Sequence, residues 1–203
     1  MTIRHTTLKP TSAVRTVARH MQMFYPATQA AYILAATASS AMTVDTALTL
    51  LETTTRGLTS ISFTPGGAPA SAFTFTIRGE NQFGEPVTES VTTGTSANIV
   101  HSLHCYRFIT SITPTAKSST AGDTVAIGWT CVVTSGTPRL ALLCKPQSVI
   151  SCRRFGTTAA NGAMPTFTAE ISKYTVAISA NPLLNATVGG IVFCHMDEND
   201  PEV

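Results

Sequence analysis

Charge is scarce in this chain. Asp, Glu, Lys and Arg make up only 12% of the 203 residues, about half the usual share for a soluble protein, and the net charge is +2. A balance so near zero argues against a dedicated nucleic-acid binder, whose affinity comes from neutralising phosphates. Aromatic residues are 7%, with one tryptophan, Trp129. That is few for a glycan site, which presents exposed rings. No stretch approaches the roughly 18 consecutive apolar residues of a membrane-crossing helix. The opening MTIRHTTLKPTSAVRTVARH lacks the apolar region of a secretory leader, so synthesis in the cytosol and no membrane contact are expected. The five cysteines (Cys105, Cys131, Cys144, Cys152, Cys194) form no CxxC, and their odd number and wide spacing argue for buried, reduced thiols. The GxSxG, HExxH and EF-hand patterns are absent, and PGGAPA lacks the Lys-Ser/Thr of a phosphate loop. No enzyme, cofactor or metal is expected.

What the chain has in quantity is threonine, roughly one residue in six. Its hydroxyl wets a surface without charge and its branched Cβ suits a pleated strand. The clearest segment is FTFTIRGENQFGEPVTESVT. Phe73, Phe75 and Ile77 alternate with Thr74, Thr76 and Arg78, and Val87, Glu89 and Val91 alternate with Thr88, Ser90 and Thr92. Two half-buried antiparallel strands follow, joined at Asn81, Gly84 and Pro86. The turn from Glu80 to Glu85 is expected to face outward. Glu89 is expected to be a rim charge paired with Arg78 across the hairpin.

Similar alternation recurs. LTSISFT sets Ser60 and Ser62 against Ile61 and Phe63, and TVAIGW closes on Trp129, expected in the core. NIVHSLHCYRFITSITPTA is read as strand with a bend near Ser102, and YILAATASSAMTVDTALTLLETTTRG as two short strands. PRLALLCKP, SVISCRRFG, PTFTAEIS, YTVAISA and GGIVFCHM supply further strands. Ten or more short strands imply an all-β, antiparallel β-sandwich or jelly-roll-like domain. The expected organisation is an N-terminal arm over 1–25, a β body over 26–196 and an acidic tail over 197–203. VRTVARHMQMF has spacing suited to a short helix ended by Pro26.

Candidate chemistry is thin. His101, His104 and Cys105 contain zinc-ligating types, but on a regular strand His104 points away from the other two, so they converge only if a bulge intervenes. The arm's Arg4, Lys9, Arg15 and Arg19 precede any acid, the first being Asp45, and suit a tether on a neighbouring subunit better than on nucleic acid. Arg153 and Arg154 form a second basic pair. With the turn residues Gln82 and Phe83, these are the candidate protein-contact residues.

The run from about Ala31 to Gly128 resembles a recurring pattern in virion proteins of tailed bacteriophages. An Ala/Thr-rich segment and a strand like LTSISFT lead to a hairpin whose turn carries Gly79, Asn81 and Gly84. Glu89 follows in TESVTTG, then YRFITSITPTA and TVAIGW. Glu80-Asn81 stands where an Asp in the turn is more usual, and the C-terminal half lies outside the match. The resemblance implies a non-enzymatic assembly component, a capsid decoration or cement protein that binds copies of itself and the major capsid protein. Alternatives are a tail, collar or baseplate protein, a carbohydrate- or cell-surface-binding β module, and a jelly-roll coat protein with a basic arm.

Overall fold

The alternation over Phe73–Ile77 is realised in a computed structural model that describes residues 16–25, 28–55, 59–130, 136–142, 146–155, 166–179 and 190–199. Strand β4 (Thr74–Glu80) pairs antiparallel with β5 (Pro86–Thr92), setting Phe75 opposite Val91 and Ile77 opposite Glu89. On its other side β4 pairs with β7 (Phe108–Ala116), giving a three-stranded sheet of order β5-β4-β7. A four-stranded antiparallel sheet is built from β2 (Gln29–Ala38), β8 (Thr124–Trp129), β3 (Ser60–Pro65) and β6 (Val100–Cys105), in that spatial order. One apolar cluster draws on both sheets. It includes Ile33, Ile61, Phe63 and Ile127 from the larger, and Phe75, Ile77, Val91 and Ile112 from the smaller. The Phe63 and Phe75 rings stack with centroids 5.2 Å apart, and Phe73 lies 6.1 Å from Phe75.

The C-terminal half adds two sheets. Strands β11 (Thr166–Glu170), β12 (Thr175–Ser179) and β9 (Arg139–Ala141) form one, and a bridge from Leu140 to Thr59 brings it beside the start of β3. The other has β13 (Gly190–Asn199) between β1 (Thr16–Tyr25) and β10 (Pro146–Phe155). All pairings are antiparallel. The described residues contain no α-helix, only 3-10 turns at Ser39–Ala41 and Ile171–Lys173. The all-β class is as the alternation implied.

Three local expectations are corrected. The stretch read as a helix is strand β1, matched residue for residue with β13 from Thr16 opposite Asn199 to Tyr25 opposite Gly190. Helical spacing there loses to a ten-residue partner strand that supplies a full hydrogen-bond ladder. The same ladder holds Asp197 and Glu198, read as tail, within β13. Of the stretch 32–57 read as two strands, the described residues 32–55 hold one, the greater part of β2. After β2 and the 3-10 turn, residues 42–55 run beside β7 as irregular chain: Leu48 N–H bonds Ile112 O, and Ile109 N–H bonds Thr53 O. That covers an otherwise open sheet edge. Apart from these, both faces of β3 are covered: Ser60 and Ser62 are as buried as Ile61 and Phe63, and the Arg139 backbone N–H bonds Ser60 Oγ.

The core reading of the hairpin holds, since Phe73, Phe75 and Ile77 are fully buried. Phe75→Ala is expected to cost about 3–5 kcal/mol in urea unfolding, while Thr76→Ala on the opposite face shifts stability by about 0.5 kcal/mol or less. A Phe75→Ala variant as stable as the parent would mean that the faces are reversed.

Candidate functional site

The hairpin turn is built by its own residues. Asn81 Oδ1 accepts the backbone N–H groups of Phe83 (2.9 Å) and Glu85 (3.0 Å), while its Nδ2 donates to Glu85 Oε2 at 2.8 Å. Gly84 sits at φ +78°, a left-handed conformation that glycine adopts without a Cβ penalty. Gly79 is glycine for a different reason: a Cβ there would stand 2.3 Å from Phe108 O and 2.9 Å from the Tyr106 ring.

The turn does not face solvent as expected. Gln82 and Phe83 are half-buried. Gln82 Nε2 donates to Leu142 O (3.1 Å) and Tyr174 O (2.9 Å), and Phe83 meets the Tyr174 ring edge-on at 5.3 Å. Tyr174 itself is held at φ 52° at the end of the second 3-10 turn. The C-terminal half thus meets the hairpin tip through Gln82 and Phe83 and half-buries them, while Glu80 and Gly84 stay exposed.

Glu89 is the second correction. It is 8% exposed, and Arg78 lies opposite Thr88, not opposite Glu89. Its partner is a bulge in β6. Between two matched pairs, β3 advances from Ser60 to Ser62 while β6 runs from Cys105 back to His101, so four steps face two. The bulge takes the N–H groups of Leu103 and His104 out of the ladder, and Glu89 accepts both, at 2.5 and 3.1 Å. Tyr106 Oη donates to the same carboxylate at 3.2 Å. Burial, then the charge and hydrogen bond of Glu89, raise the Tyr106 phenol far above its ordinary range. Ser102 completes the bulge: its Oγ accepts Ile61 N–H at 2.8 Å and donates to His104 O at 2.7 Å. The bend expected near Ser102 is this feature.

A polar cluster lies under the C-terminal half. Arg139 donates to Glu170 through Nε (2.7 Å) and Nη2 (3.0 Å), and its Nη1 bonds Ser102 O and Thr137 O. Its backbone N–H bonds Ser60 Oγ, which lies 3.3 Å from His101 Nδ1. Arg139, with Thr175 Oγ1 on the same carboxylate, holds Glu170 below the usual carboxylate range. His101 is kept neutral, its pKa lowered to about 3 by burial and then by the Arg139 charge. Burial also lowers His104 and raises the Cys105 thiol. Ser60 beside His101 has the residue types of a nucleophile and base, but Ser60 is fully buried and its oxygen is occupied by Arg139.

The sequence candidates are not brought together. Arg4, Lys9 and Arg15 lie outside the described residues. Arg19 falls in β1 opposite Met196, and Arg153 and Arg154 fall in β10 opposite Phe193 and Val192. A bulge does intervene near His101, His104 and Cys105, yet among the described residues no group of three His, Cys, Asp or Glu could hold a metal ion. The Arg139–Glu170 pair was missed, and no local pattern marks it. Glu89 had a signal, an acid at an inward position of an alternating strand. No protein family, curated protein or solved structure matches the chain.

Two outcomes follow from these contacts. Glu89→Ala is expected to cost about 3 kcal/mol, because it leaves the Leu103 and His104 N–H groups and the buried Tyr106 hydroxyl without their shared acceptor, whereas Tyr106→Phe, which removes one donor, costs about 1 kcal/mol. Urea unfolding of both variants measures this; equal small losses would show that the bulge does not depend on Glu89. Stability should also fall as pH drops below about 6.5. The unfolded chain takes up a proton on His101 that the folded chain refuses down to about 3. Glu170, depressed in the fold, contributes in the same direction at lower pH. In unfolding midpoints at pH 7, 5.5 and 4.5, His101→Gln should flatten the slope; an unchanged slope would remove His101 as its source.

Proposed function

We propose that this chain is a non-enzymatic structural protein of a tailed-bacteriophage particle, a decoration or cement protein that stabilises the capsid through contacts with itself and the major capsid protein. Its two central sheets are read as the layers of an antiparallel β-sandwich, held by the Phe63–Phe75 stack. The observation that supports the function is the outer face of the β5-β4-β7 sheet. Thr74, Thr76, Thr88, Ser90, Thr92 and Thr113 alternate with the buried apolar residues, around only two charges, Arg78 and Glu80. Methyl and hydroxyl groups can be buried against a protein partner at far less desolvation cost than charges. Many symmetric copies, each with an interface of about 1,600 Å², would add their contributions over a shell.

Particles of a phage whose genome encodes the chain provide the test. Quantitative mass spectrometry and electron microscopy should find it in many copies on the capsid. A few copies confined to the tail would support the tail reading, and absence from washed particles would overturn both. Ser90→Arg, at an exposed position of the same face on the end strand β5, is expected to leave the melting temperature within about 2 °C of the parent, yet to lower incorporation. Full incorporation of this variant would exclude this face as the contact.

A further inference from the structure

Cys152 and Cys194 are 42 positions apart in the sequence and directly opposite in the fold. The register of β10 on β13 runs without interruption from Ser151 opposite His195, through Cys152 opposite Cys194, to Phe155 opposite Ile191. Residues facing each other in an antiparallel pair lie on the same face of the sheet with Cα atoms about 4.5–5.5 Å apart. A disulfide accepts Cα separations of about 4.4–6.8 Å, so either kind of facing pair is compatible with it. On its other side Cys194 faces Met21 of β1, which leaves Cys152 as the cysteine in register with it.

We propose that Cys152 and Cys194 are joined by a cross-strand disulfide once the protein meets an oxidant of the low-molecular-weight disulfide class. One cysteine thiolate attacks the small disulfide and releases one small thiol, leaving a mixed disulfide. The second cysteine thiolate then attacks that bond and releases the second small thiol. Two protein thiols are oxidised and one small disulfide is reduced to two thiols, with both protons passing to the leaving thiolates. The bond closes a loop containing β11 and β12 and staples β10 to β13, the strand that also carries β1. In a reducing cytosol both cysteines remain thiols, and the bond forms on release to oxidising surroundings. Cys105, buried and free, stays outside the exchange.

The full-length protein, purified reduced, is treated with oxidised glutathione and its thiols are counted in denaturant. Of the five cysteines, three should remain titratable. Non-reducing peptide mapping should recover one linked pair, Cys152 with Cys194. The melting temperature should rise on the order of 10 °C over the reduced protein, a rise absent from Cys152→Ser. Five titratable thiols, a stable glutathione adduct on either residue, or a bridge to another cysteine or another chain would overturn the proposal. Mapping of the parent protein decides the matter even if the variant folds poorly.

Discussion

Glu89 holds two sheets together at the one place where a strand cannot satisfy itself. The extra residues in β6 free the Leu103 and His104 N–H groups, and among the described strands β6 is the last hydrogen-bonded member of its sheet. A carboxylate is an acceptor with enough lone pairs for both groups and for the Tyr106 hydroxyl. Because Glu89 stands on β5, at the end of the other sheet, satisfying the bulge also fixes the position of one sheet against the other. The apolar cluster supplies the driving force for that approach, but it is non-directional. The three hydrogen bonds to one side chain set its register.

The hairpin motif takes on a physical meaning in this light. Gly79 lets β7 approach, Asn81 and Gly84 close the turn, and Glu89 reaches the bulge. Two glycines, an amide and a carboxylate work on one construction problem. The C-terminal half then uses the finished hairpin as a platform, with Gln82 and Phe83 meeting Leu142 and Tyr174.

The seam beneath that half is polar where a core would ordinarily be apolar. Ser60, His101, Ser102 and Arg139 are all buried, and Arg139 reaches both Glu170 and the bulged strand. Buried ion pairs contribute little net stability, since desolvation offsets the attraction, but they penalise any arrangement that leaves the Arg unpaired. The cluster therefore acts on the geometry of docking more than on its strength. The Thr-rich face of the β5-β4-β7 sheet carries almost no charge, and the proposed function rests on it.

Local features of the sequence determined the all-β class, the faces of the central hairpin, its turn residues and the burial of Trp129. Alternation and turn chemistry act within a few residues, so they can be read without knowing what lies across the sheet. The tertiary structure alone decided the rest. Residues 16–25 become a strand because β13, from the far end of the chain, offers a complete ladder. Ser60, Ser62, Gln82 and Glu89 are engaged because of what covers them; the serines and Gln82 look like surface residues on their own strand or turn, and Glu89 shows only that it points inward, not what it meets. Whether a polar side chain faces water or a buried donor depends on a partner distant in sequence, and no local pattern encodes that partner.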